Sequence, residues 1–176
     1  TSSSEGSVVT GSETVPNGLI AHCYTSNSSG TSYSYVKSEL ISSIDIDNIS
    51  FNALFGIDGD VNGQDYAAID FEGYLYVASS GNYSFYTKVD DRISLIIDDE
   101  PVAYRTSATG NSWVDMSKDS GTTSDATPTH LSQGYHKIRV RLWEITGGAF
   151  IHLAMADEGT GVGNITDSDI ISSSSF

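Results

Sequence analysis

From Gly134 to Trp143 the chain reads Gly-Tyr-His-Lys-Ile-Arg-Val-Arg-Leu-Trp, and its side chains alternate with a period of two. Tyr135, Lys137, Arg139 and Arg141 fall on one face. His136, Ile138, Val140 and Leu142 fall on the other. A helix would repeat every 3.6 residues, so this segment is a strand with one buried face. Similar runs of Tyr, Val, Ile, Thr and Phe recur along the chain, punctuated by Gly, Asn, Asp and Ser. They predict strands at Leu19–Tyr24, Tyr66–Ala78, Gly81–Val89, Ser94–Asp98, Pro101–Arg105, Gly134–Trp143 and Ala149–Met155. Ser80-Gly81 reads as a tight hairpin turn between two of them. Tyr33–Ile49 reads as room for a short helix. Seven or more short strands with turn-rich connections make an all-β, antiparallel sandwich or barrel with short helical or irregular insertions.

The 176 residues suit one domain, and 38% hydrophobic content can build a core. The first 17 residues and the segment 159–176 are rich in Ser, Thr, Gly and Asp without periodicity, and read as linkers around a folded part at 18–158. The N-terminus shows no basic stretch followed by an apolar run, so no signal peptide is expected. Acidic residues outnumber basic ones 23 to 8, for a net charge of −15. That balance argues against nucleic acid and anionic membranes as partners. It leaves solubility in a salty medium, or divalent cations, which prefer carboxylate oxygens. Cys23 is the single cysteine, so neither an internal disulfide nor a cysteine zinc cluster is available.

Three segments carry a resemblance: GLIAHCY at 18–24, FEGYLYVASSGNYSFYTKVDDRISLIIDDEPV at 71–102, and QGYHKIRVRLWEITGGAF at 133–150. Their order resembles the PA14 domain, a β-sandwich module of extracellular proteins. PA14 domains serve in toxin assembly, inside glycosidases, and as calcium-dependent lectins of yeast flocculins and large bacterial adhesins. The missing cysteines depart from the flocculin pattern. The acidity and the Ser/Thr/Gly flanks are closer to the sugar-binding module of bacterial RTX-type adhesins, the ice-binding ones among them.

Asp90-Asp91 follows a strand. Adjacent carboxylates on extended backbone point to opposite faces, so convergence on one ion needs an unusual peptide geometry. The resemblance implies a cis peptide there and a calcium ion, which takes 6–8 oxygens and keeps positions for two vicinal sugar hydroxyls. An ordinary acidic turn capping the strand is the other reading. The loop Trp143-Glu144-Ile145-Thr146-Gly147-Gly148 resembles the one that completes the calcium site and shapes the sugar pocket. Trp143 stands where the family places an asparagine ligand, so that ligand is lost or has moved to Glu144. Thr146, Gly147 and Gly148 would offer backbone oxygens, and Trp143, Glu144, Ile145 and Thr146 would line the sugar. Trp143 suits either a sugar face or the core, and Gly147-Gly148 either an ion or a plain hairpin.

Asp58, Asp60, Asn62, Gln64 and Asp65 resemble the start of an EF-hand loop, a second calcium site. The twelfth position is Ile69, where a bidentate acid belongs, so no EF-hand sensor is expected. With a hairpin at Ser80-Gly81, Asp90 would pair near Phe71, and Gln64 or Asp65 would approach the sugar. Asp98-Asp99-Glu100 reads as a structural turn, Asp45 and Asp47 as solvated residues, and the four histidines show no zinc spacing.

The expected function is a calcium-dependent lectin module of a cell-surface adhesin, monomeric within a larger protein and not an enzyme. The expected partners are surface glycans with fucose- or glucose-like sugars, in cell adhesion or biofilm. The alternatives are a calcium-stabilised structural or protein-binding module, or an accessory domain of a glycosidase. Neither Gly-x-Ser-x-Gly nor His-Glu-x-x-His occurs.

Overall fold

A computed structural model describes residues 18–27, 32–56, 65–118 and 127–172. The strands are β1 (Leu19–Ser26), β2 (Tyr33–Ile41), β3 (Asp45–Ile46), β4 (Ala67–Val77), β5 (Gly81–Asp90), β6 (Arg92–Ile97), β7 (Glu100–Arg105), β8 (Val114–Asp115), β9 (Thr129–Leu131), β10 (Gly134–Glu144) and β11 (Phe150–Asp157). Among the described residues one α-helix, α1 (Asn48–Leu54), follows β3, and two short 3-10 helices lie at Val162–Asn164 and Asp167–Asp169. The pairing is antiparallel throughout and forms two sheets. A six-stranded sheet runs β2-β1-β4-β10-β6-β7, and a five-stranded sheet runs β3-β11-β5-β8 with β9 also on β5.

Period-two alternation explains the core. β10 buries His136, Ile138, Val140, Leu142 and Glu144, β4 buries Ile69, Phe71, Leu75 and Val77, and β5 buries Phe85 and Val89. These inner faces meet in one apolar cluster with Leu19, Ala21, Cys23, Leu95 and Ile151. Gly73 leaves room there: a Cβ on it would lie 2.6 Å from Leu19 Cδ2, so the buried Leu19 side chain would have to shift. The β6–β7 turn places Asp98 (φ 52°) and Asp99 (φ 66°) in the left-handed region, as a two-residue hairpin requires. Asp98 braces it by accepting from the Lys137 N–H (3.0 Å) and pairing with His136 Nδ1 (2.6 Å).

Three expectations change. Ser80-Gly81 is not a hairpin between paired strands, because both edges of β4 are taken by β1 and β10 and β5 pairs with β11 instead. The turn carries the chain from one sheet to the other. Tyr33–Ile41 is a strand, held by its ladder to β1, and the helix starts only at Asn48, where Asp47 caps it by accepting from the Ser50 N–H (2.7 Å). The segment after Glu158 is packed as far as Ser172. Ile171 is 2% exposed, its N–H donates to Leu153 O (2.9 Å), and its O accepts from the Ile44 N–H (3.1 Å). Ile165 packs with Tyr86 and Ala154, so this segment covers the outer side of the five-stranded sheet. Ile171→Ala should therefore cost about 2–5 kcal/mol in urea unfolding, the range of a buried large-to-small change. A loss below about 0.5 kcal/mol, as for an ordinary surface substitution, would mean the segment is not part of the cooperative fold.

Candidate functional site

β5 ends at Asp90, opposite Phe150 in the five-stranded sheet. β6 begins at Arg92, opposite Trp143 in the six-stranded sheet. The Asp90-Asp91 peptide is thus the step between the sheets, and it is cis. The β10–β11 connection, residues 145–149, makes a second step at the same end. The alternation that buries His136, Ile138, Val140 and Leu142 puts Glu144 on the inner face as well, so its carboxylate lies between the sheets. Ligand oxygens of Asp90, Asp91 and Glu144 all lie within 4.8 Å of one another, the one such group of acids, histidines or cysteines among the described residues.

The three charges stand in a poor place for charge. Glu144 is 1% exposed, and both its carboxylate oxygens are buried without a hydrogen-bond partner among the described residues. Its pKa is pushed up to about 9, first by loss of solvent, then by the charges of Asp91, Asp90 and Asp65. Asp90 is raised to about 6 by burial and by Asp91 beside it. Buried carboxylates without donors are costly unless protonated or paired with a cation. A hard divalent cation fits this donor set: three carboxylates, two orphaned oxygens and no competing basic side chain within the cluster.

The rim is tied together by backbone. Asp91 Oδ2 accepts from the Ile145 N–H (2.7 Å), and the Asp91 N–H donates to Trp143 O (3.1 Å). Asp65 Oδ1 accepts from the Gly147 N–H (2.9 Å), and the Tyr66 N–H donates to Ile145 O (3.0 Å). Asp65 does reach this end, through the β4–β10 register that sets Ala67 opposite Glu144. Gly147 has φ 104°, which only glycine adopts freely, and it lets the loop double back over Asp65. Thr146 is exposed and Gly148 half-buried in the same loop. Asp58, Asp60, Asn62 and Gln64 lie outside the described residues.

Trp143 is not at the cluster. It follows Leu142 and precedes Glu144, both buried, so its side chain is on the outer face of the six-stranded sheet. There Arg141 lies 5.6 Å from its ring centroid, and Tyr24, Tyr33 and Ala68 join it around a cleft of about 190 Å³. Sequence reasoning missed Tyr24, Tyr33, Ala68 and Arg141, although continuing the β10 alternation by one residue separates Trp143 from Glu144. The four histidines have partners within the fold: His152 pairs with Asp45 (2.6 Å), His136 with Asp98, His130 Nδ1 lies 3.1 Å from Asn82 Oδ1, and His22 Nδ1 lies 2.7 Å from Ser38 Oγ.

The two antiparallel sheets, with clustered carboxylates where the chain steps between them, define an all-β sandwich module. The chain belongs to the PA14 domain family, whose model matches residues 16–166. Among similar solved structures is an anti-sigma factor domain-containing protein (TM-score 0.66, 17% identity); the match covers 92% of this chain and spans 48% of that protein. The PA14 domain of the MpAFP antifreeze protein matches at TM-score 0.59 and 16% identity, over 98% of this chain and 94% of that one. A PA14 sugar-binding domain from an RTX adhesin matches at TM-score 0.55 and 16% identity, over 82% and 92%. No curated protein matches the sequence. No helix among the described residues is long and apolar enough to cross a membrane.

Proposed function

We propose that this domain is a calcium-dependent carbohydrate-binding module of a surface adhesin. The observation that carries the reading is Glu144, a buried carboxylate with two unpartnered oxygens facing Asp90 and Asp91. Those three residues would hold the ion. A bound calcium would offset their charge and offer open positions to two vicinal hydroxyls of a sugar. The Asp91–Ile145 hydrogen bond sets the loop 145–149 at the rim, where Ile145 and Thr146 would shape sugar choice. Asp65 would support the loop through Gly147. The RTX adhesin domain of similar fold is a sugar-binding one, and fucose- or glucose-like rings are the candidate ligands. A cell-surface location follows from an adhesin role.

No bond need break in this site. Neighbouring aspartates on one peptide do not flank a glycosidic bond from opposite sides, as paired catalytic acids must. Affinity for one sugar should be weak, on the order of 0.1–1 mM, because few apolar contacts offset the ordering cost. Many copies on one surface would restore strength by avidity.

Calorimetric titration of L-fucose and D-glucose, with calcium and again after EDTA, tests this. Saturable heat is expected with calcium alone, and its loss in Asp90→Ala. Calcium binding without any sugar heat, across a wider glycan panel, would leave a calcium-stabilised structural module instead.

A further inference from the structure

The two outer faces of the sandwich are treated differently. The five-stranded sheet is covered by the segment around Ile165. The six-stranded sheet presents side chains in register rows, and one row is unusual. Tyr24 on β1 is opposite Ala68 on β4, and Ala68 is opposite Trp143 on β10. Two aromatic side chains therefore flank an alanine, two strand spacings or about 9–10 Å apart. Ala68 is 4% exposed and makes the floor of a slot. Tyr33 closes one side, and Tyr35 backs Tyr24 edge-on at 6.0 Å between ring centroids.

The end wall is fixed. Arg141 sits in the next row, opposite Asp70, and its Nε and Nη2 donate to the two oxygens of that carboxylate. Asp70 is 5% exposed. The guanidinium is held from a second side by the Trp143 ring. Such a pair carries no net charge yet presents rigid donors, because Asp70 does not engage Nη1. The slot thus combines aromatic walls with a neutralised polar group at Arg141, and two tyrosines in its lining. Its volume of about 190 Å³ suits one small ring.

We propose that this slot is a second, calcium-independent binding site, for a single neutral pyranose ring. The C–H faces of a pyranose pack on aromatic rings, and its hydroxyls need polar groups such as Arg141 and the tyrosines of the lining. A charged sugar gains nothing from the neutralised Arg141, and the overall charge of −15 disfavours anions. An aromatic side chain of a partner protein would fill the walls but leave the polar group at Arg141 unused. The site stands on its own geometry, on the other face of the sheet from Glu144, and does not depend on the calcium reading.

Trp113 and Trp143 are the two tryptophans, so a ¹⁵N-labelled chain gives two indole N–H resonances. In EDTA, methyl β-D-glucopyranoside, methyl β-D-galactopyranoside and methyl α-L-fucopyranoside would be titrated to about 100 mM, since a single-ring site binds weakly. A saturable shift of the Trp143 resonance is expected with at least one glycoside, with Trp113 unmoved. Ala68→Leu fills the floor and should weaken that response roughly tenfold or more, and Tyr24→Ala should do the same if the leucine variant loses amide dispersion. No Trp143 shift with any of the three in EDTA overturns the proposal. A shift that appears only when calcium is restored also overturns it, by assigning that binding to the Asp90 cluster. A response to N-acetyl-tyrosinamide without one to the glycosides would make the slot a receptor for aromatic side chains instead.

Discussion

Glu144→Gln should raise the melting temperature in EDTA at pH 8 by several degrees while weakening calcium binding on the order of 100-fold. Both effects have one source. Without a cation, a carboxylate 1% exposed faces two more carboxylates within 4.8 Å. Glutamine keeps the shape and removes the cost of holding Glu144 protonated at pH 8, and its amide N–H groups can donate to the aspartates beside it. A gain of ~1–2 kcal/mol is expected, because an acid that folding forces to take up a proton at pH 8 lowers stability. With calcium the sign reverses, since one anionic ligand of three is gone. Thermal melts and calcium calorimetry on the same variant read both quantities. A variant less stable than the parent in EDTA, and undiminished in calcium affinity, would remove the cluster as a cation site.

The second expectation is a steep pH dependence of opposite sign with and without the ion. Glu144 is raised to about 9 and Asp90 to about 6, both above ordinary carboxylate values. A folded group with a raised pKa keeps its proton where the unfolded chain has lost it. Its stabilising contribution is complete below the unfolded value near 4 and fades as pH rises toward 9. The calcium-free domain should therefore melt at progressively lower temperature from about pH 5 to pH 9, and Glu144→Gln should flatten that slope. Calcium must displace the Glu144 proton, so its affinity should rise roughly tenfold per pH unit between about pH 6 and pH 9. About one proton should be released per ion at neutral pH, read from calorimetry in two buffers of different ionisation heat. A slope unchanged by Glu144→Gln would assign the pH dependence to the general negative charge of the chain.

The alternation in β10 was the most legible feature of the sequence, and it carries further than the strand itself. One face of Tyr135 to Leu142, continued to Glu144, gives the inward carboxylate. The Asp90-Asp91 pair was legible as a strand end, and its cis peptide through family resemblance. The sheet to which each strand belongs was not legible. Ser80-Gly81 has the residues of a tight turn, and nothing local distinguishes a hairpin from a step between sheets; the occupied edges of β4 decide it. β2 was obscured because it is an edge strand with little buried side-chain surface, so alternation leaves no trace in it. The packing of Ile165 and Ile171 was hidden by their Ser- and Asp-rich surroundings, too sparse in apolar residues to show a period.

Because the acids are held by the ends of strands and the rim by the connection 145–149, the site separates two kinds of inheritance. Substitutions at Asp90, Asp91 or Glu144 alter charge inside the sandwich, and so bear on the stability of the whole domain. Substitutions at Ile145 or Thr146 would, on the proposed function, alter what the mouth admits. On the proposed function, new ligands would be reached by rewriting a few loop positions while the acidic cluster is kept.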